Sequence, residues 1–186
     1  MPKIIADLEE NILKEARRVL LESGYDALTM RAVASGCGIA VGTVYNYFAS
    51  KELLCARVML RDWQQALDGM CEDISSAPDA LLGLRCIFMR IDAFRRVFSP
   101  AWTEYAEAGH AAPLSGPYHD ALIAQIAAAI MSLLERFGCL HTPALPAFLA
   151  ESLLFKSLVR FRNQRLLSSD NSEVTISCMG KMSPMI

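Results

Sequence analysis

Thr43, Tyr45, Asn46 and Tyr47 bring three hydroxyls and a side-chain amide into five consecutive residues, and Lys51 follows four positions later. Groups of this kind hydrogen-bond to base edges and phosphate oxygens, the chemistry of reading a nucleic acid. Gly42 stands just before them, where the lack of a Cβ lets backbone approach a phosphate or base edge. Thr29 and Arg31 add a hydroxyl and a guanidinium upstream, and Val41 could meet a thymine methyl. Other chemistries find no footing. There is no glycine-rich phosphate loop behind a strand, no G-x-S-x-G, no H-E-x-x-H and no nucleophile with a nearby base, so an enzyme is not expected, nor a cofactor. Cys37, Cys55, Cys71, Cys86, Cys139 and Cys178 are scattered without a C-x-x-C pair, which argues against a zinc site and a disulfide framework. They read as reduced, mostly buried thiols, with a redox-sensing pair left open.

These polar residues need a scaffold, and the pattern supplies helices. Ile5, Leu8, Ile12, Ala16, Val19 and Leu20 recur at helical spacing among charged residues, and Gly24 is expected to end that first helix. Thr29 caps a second helix of about two turns, with Leu28 stapled onto Val33. Gly36, Cys37 and Gly38 then make a tight turn. In the third helix Val44 and Phe48, at i and i+4, form a buried stripe, so that Thr43, Asn46 and Tyr47 point elsewhere. Tyr45 reads equally as packing or as a phosphate contact. Ser50 caps a fourth helix, expected from Lys51 to about Ile74, whose positive end adds to the Lys51 ammonium. Further helices are expected from Pro78 to about Val97, from Pro100, from Pro117 to about Phe137, and from Thr142-Pro143 to about Asn163. Nothing alternates with strand period, so the fold class is all-α. The stretch after about residue 168 reads either as a short helix over Glu173 to Met182 or, from Gly180, Pro184 and its polar run, as frayed.

Two short capped helices joined by a glycine turn are the sequence form of a helix-turn-helix. The run from Thr29 to Leu54 closely resembles the N-terminal signature of the TetR (tetracycline-repressor) family of bacterial regulators, its specific part being Gly42-Thr43-Val44-Tyr45-Asn46-Tyr47-Phe48-Ala49-Ser50-Lys51-Glu52-Leu53-Leu54. The resemblance covers about residues 5 to 54. It implies a three-helix DNA-binding domain over 1–54, with Thr29, Arg31, Val41, Gly42, Thr43, Tyr45, Asn46, Tyr47 and Lys51 as candidate DNA contacts. It further implies a helical domain over 55–186 that dimerises and holds a small effector, and a repressor released from double-stranded operator DNA by that effector. Two residues depart from the pattern. Ala40 stands where a serine or threonine cap is common, at a cost of about 1 kcal/mol, and Val41 where a polar or basic residue often sits.

Charge does not announce the partner. The formal net charge is −2, and up to Glu52 six basic residues face seven acidic ones. A rival reading is therefore a non-enzymatic helical adaptor dimer whose helix-turn-helix has lost DNA affinity. At 53% hydrophobic the chain is apolar enough to need a partner or a membrane. The longest apolar run, Ala121 to Leu134, is broken by Gln125 and Ser132 and falls short of the roughly 18 to 20 residues that cross a bilayer. A partner explains it better. The wide apolar faces of the helix from Ala121 to Leu134 and of the last one, with Phe148, Leu149, Leu153, Phe155, Leu158 and Val159, suit a homodimer or an interior position within one subunit. Acidic residues in the first ten positions spoil a secretory signal, so a cytoplasmic location is expected. Trp63, Met70, Phe88, Met89, Phe94, Trp102 and Tyr105 are candidates to line an effector pocket, or plain core. Arg85, Arg90, Arg95 and Arg96 could hold a counter-charge for an acidic ligand. His110, His119 and His141 do not suggest a metal site.

Overall fold

The computed structural model describes residues 8–107, 117–139 and 142–154, with 101–107 and 117–119 described by their backbone alone. Helices α1 (Leu8–Ala27), α2 (Met30–Cys37), α3 (Val41–Tyr47), α4 (Lys51–Ser76), α5 (Ala80–Glu107) and α6 (Pro117–Arg136) follow in order, and α7 occupies 145–154 of the described chain. No strand occurs among the described residues, so the fold is all-α.

The apolar spacing of α1 does what it predicts: Ile12, Leu13, Ala16, Val19 and Leu20 are buried, while Glu9, Lys14 and Arg18 are exposed. Gly24 does break the helical geometry, at φ 84° and ψ 176°, a conformation open essentially to glycine alone. One helical turn resumes beyond it and carries Tyr25 into the core. Ion pairs stitch α1 to α4: Arg17 to Asp62 at 2.7 Å, Arg57 to Glu9 at 3.3 Å, and Arg61 to Glu10. Exposed pairs such as Arg57 and Glu9 add little stability, and their use is to fix how the two helices lie together.

Two apolar cores result. The first gathers α1, α2 and α3 with Leu54, Cys55 and Val58 of α4 and Phe98 of α5. The second joins Trp63, Met70 and Ile74 of α4, Ile87 and Ile91 of α5, Ile126, Ile130, Leu133 and Leu134 of α6, and Ala150 and Leu154 of α7. Phe94 packs against both. The C-terminal end of α4 is tied down twice. Arg90 grips Asp73 through Nε at 2.8 Å and Nη2 at 3.2 Å, and Arg136 of α6 donates to the Ile74 carbonyl. Gly69 makes room for the first tie, since a Cβ there would stand 2.5 Å from Arg90 Nη1.

Several boundaries differ from expectation, among them the last helix, which starts at 145 instead of at Thr142-Pro143. Instead of stopping near Val97 and restarting at Pro100, α5 runs through Pro100 as one helix. The proline removes one backbone donor, but Phe98 and Ser99 are buried beside it, and that packing holds the turn the proline weakens. The same helix starts at Ala80 rather than Pro78, because Asp79 Oδ1 accepts from the Leu82 N–H at 2.8 Å and caps it there. α4 runs two residues past Ile74, to Ser76. The stretch after residue 168, and the continuation of the last helix towards Asn163 with Phe155, Leu158 and Val159, lie outside the described residues.

All the described cysteines are free. Burial pushes the Cys55 thiol up to about 12, with Lys51 opposing the shift and Glu52 adding to it. Burial and then Glu15 raise Cys37. Since only the thiolate is nucleophilic, iodoacetamide at mildly alkaline pH is expected to alkylate exposed Cys71 well before Cys55. Peptide mass spectrometry of timed samples checks the order. Early labelling of Cys55 in the folded protein would contradict a closed first core.

Candidate nucleic-acid interface

The turn between α2 and α3 is built from local signals. Thr29 caps α2, its Oγ1 accepting from the Ala32 N–H at 3.0 Å. Leu28 and Val33 are buried on either side of that cap, as a staple requires. At the other end Gly38 takes the left-handed conformation, φ 66° and ψ 33°. Its N–H donates to Ser35 O at 3.1 Å, and the Ile39 N–H donates to Ala34 O at 3.0 Å. This Schellman closure satisfies the last carbonyls of α2 and aims the chain into α3. Gly36 packs on Glu15, whose Oε1 lies 1.9 Å from where a Cβ would stand. The Arg18 hydrogen bond holds the Glu15 carboxyl below its ordinary range against the opposing effect of burial.

Ala40 opens α3 without a side-chain cap, as its residue type dictates. Val44 and Phe48 are buried in the first core and hold the helix from behind. On the other side Gly42 and Asn46 are exposed, Tyr45 is 51% exposed and Tyr47 45%. Tyr45 is thus outward rather than packed. Thr43 and Val41 are half-buried, and Val41 leans on the first core, which limits what it can offer a partner. A Cβ at Gly42 would meet no atom within 4 Å. Nothing inside the protein therefore calls for glycine there, whereas close approach by an outside body would.

Thr29 and Arg31 are exposed. Thr29 spends its acceptor on the cap and keeps its hydroxyl proton free to donate. Lys51 opens α4 behind Ser50, whose Oγ accepts from the Leu53 N–H at 3.3 Å. Its ammonium lies 3.8 Å over the ring of Tyr25, and the Tyr25 hydroxyl donates to Glu52 at 3.5 Å. Sequence reasoning missed Tyr25. A cation over a ring face is attracted by the ring's negative face, but no local spacing links a residue just past Gly24 to one at the start of α4.

The candidate effector residues divide. Trp63 and Met70 are buried in the second core and Phe94 packs on it, Phe88 is half-buried, and Met89, 50% exposed, faces out of the subunit. The side chains of Trp102 and Tyr105 lie outside the described residues, as do those of His110, His119 and His141. The arginines offered as counter-charges are mostly engaged. Arg90 holds Asp73, whose carboxyl that hydrogen bond lowers, and buried Arg95 pairs with buried Asp92 at 3.2 Å, with Arg96 on the same carboxylate. Arg85 is exposed. Among the described residues no group of three or more His, Cys, Asp or Glu could hold a metal ion, and no helix is long and apolar enough to cross a membrane.

A polar-faced helix, backed by buried residues and joined to a capped helix by a left-handed glycine turn, defines a helix-turn-helix module mounted on a second helical core. Residues 12–58 match the profile of "Bacterial regulatory proteins, tetR family". The chain is 33% identical over 95 residues to the HTH-type transcriptional regulator UidR of Escherichia coli, a stretch covering 44% of this chain and 48% of UidR. It is 39% identical over 67 residues to the HTH-type transcriptional repressor KstR of Rhodococcus jostii, covering 32% of each. These matches take in half or less of either relative. The fold is that of the transcriptional regulator FadR from Bacillus subtilis, solved in complex with stearoyl-CoA, with a TM-score of 0.56 at 17% identity over 88% of this chain and 94% of that one. Over residues 12–58 the chain is similar to the tetR family of bacterial regulatory proteins.

Proposed function

We propose that this protein is a DNA-binding transcription regulator, a cytoplasmic, non-enzymatic repressor that a small effector releases from its operator. One observation carries the reading: α3 turns Gly42, Tyr45, Asn46 and Tyr47 outward while Val44 and Phe48 anchor it from behind. The reading divides the chain into a DNA-binding domain over 1–54 and an effector-binding, dimerising domain over 55–186, with α4 crossing between them. In it Thr43 and Asn46 read base edges, while Tyr47, Tyr45, Lys51, Thr29 and Arg31 hold phosphates and fix the register. Val41 is confined to a glancing thymine contact. The effector sits against the mid-chain helices, near Trp63, Met70, Phe88, Phe94, Trp102 and Tyr105. It acts by its differential affinity for two arrangements of the reader helices.

Gel retardation of DNA from just upstream of the gene, at fixed salt and against random DNA, tests the reading. Thr43→Ala and Asn46→Ala are expected to cost about 1 to 3 kcal/mol on operator selectively, whereas Tyr47→Ala and Lys51→Ala weaken operator and random DNA together. If the parent retarded no DNA, the uncapped and uncharged α3 would belong instead to an adaptor. If all four folded variants bound like the parent, α3 would not be the reader.

A further inference from the structure

A ladder of three aromatic rings joins the two cores. Trp63 of α4 is buried in the second core, and its indole N–H donates to Oε1 of Gln125 on α6 at 2.7 Å. Its ring meets Phe94 of α5 edge-on, centroids 5.1 Å apart and planes at 65°. Phe94 in turn meets Phe98 at 5.0 Å, and Phe98 is fully buried in the first core, where α5 lies against α1.

We propose that Gln125, Trp63, Phe94 and Phe98 form a positioning device that sets the reader module against the regulatory half, so that a displacement of α6 reaches the reader module through α5 and the α1 it packs on. This rests on the reading of α3 as a DNA reader for its purpose, though not for its mechanics. Three physical points support it. Close-packed interiors transmit small shifts instead of absorbing them, and the rings of Trp63 and Phe98 are buried in the two cores, with exposed Gln125 beyond them. Aromatic rings carry few torsions and so little slack. The alternative route, the ion pairs along α1 and α4, includes the exposed Arg57–Glu9 pair and is weakened by salt. The device also explains Gln125. It interrupts the apolar run of α6 at an exposed position, and from there its Oε1 accepts from the indole N–H of buried Trp63.

Hydrogen-exchange mass spectrometry of the full chain tests the device without DNA. Gln125→Leu removes the acceptor at similar side-chain length and is expected to raise exchange of α2 and α3 amides about threefold or more, leaving α7 as parent. Gln125→Glu keeps an acceptor and should restore parental exchange. Phe98→Leu, cut into the other end, should raise exchange around Trp63 and along α6. If each substitution loosened only its own half, the ladder would be plain packing and the proposal overturned. In a Trp102→Phe background, operator DNA should also shift Trp63 emission, and Phe98→Leu should abolish that response. DNA binding with no emission change in the Phe98-intact protein would likewise overturn it. Failure to bind DNA at all would defeat the reader assignment while the exchange result still decides the device.

Discussion

Phe148→Glu is expected to yield a folded monomer that has lost about a hundredfold to ten-thousandfold of its operator affinity, the avidity that linking two reader modules supplies. Phe148 is 66% exposed on α7. On α6, Ala121, Ala124, Ala128 and Met131 are exposed at three- and four-residue spacing, which makes a narrow apolar row of mostly small side chains where two helices can approach closely. The two-fold mate proposed for this chain would cover both surfaces. The same helix shows which substitution is the wrong probe. Leu153 stood in sequence as a candidate dimer residue, yet it is half-buried and packs on the second core, so Leu153→Glu would unsettle the subunit itself. Sedimentation velocity of the Phe148 variant, with its circular dichroism matching the parent, checks the result. A dimer of undiminished affinity would remove α7 from the interface. Two intact modules on one dimer would reach a near-palindromic site about 34 to 36 Å apart, or at a multiple of that spacing.

The helix-turn-helix was legible in sequence because each of its parts is local. Thr29 caps the helix that follows it, Gly38 closes the helix that precedes it, and Val44 and Phe48 bury each other's face one turn apart. Signals of that range survive in a single chain read left to right. What escaped was tertiary. Pro100 obeys a local rule that packing around Phe98 overrides. Phe98, which lies within the stretch 55–186 expected to form a separate domain, belongs to the first core. Tyr25, behind a glycine that ends the regular part of α1, holds Lys51 across a gap no periodicity spans. Gln125 read only as an interruption of an apolar run, since its reason, the indole of Trp63, lies on another helix. Within the site the polar character of α3 was plain, but not that Thr43 and Val41 would be half covered while Tyr45 stood open. Those exposures depend on how α3 tilts against α2 and the first core.

Phe48→Ala is expected to cost about 3 to 5 kcal/mol, the range for emptying a buried aromatic position. Phe48 is 2% exposed, and it ends α3 with its N–H on Val44 O at 2.9 Å. Its ring therefore fixes both the core beneath α3 and the point where the chain turns towards α4. Alanine keeps the backbone bond and loses the ring, so the deficit is packing. For a chain of this size each kcal/mol corresponds to about 2 to 4 °C, which places the fall in Tm at about 6 to 20 °C. The form of the transition matters as much as its position. α4 and α5 run through both cores, Phe98 of α5 fills the first, and Phe94 touches both. Melting the first core strips Phe98 and Phe94 of their neighbours, so the second core should fail with it. Calorimetry of the variant should show one cooperative transition moved down as a whole. Two transitions, with only the lower one displaced, would mean that the cores fold independently and that α4 and α5 merely pass between them.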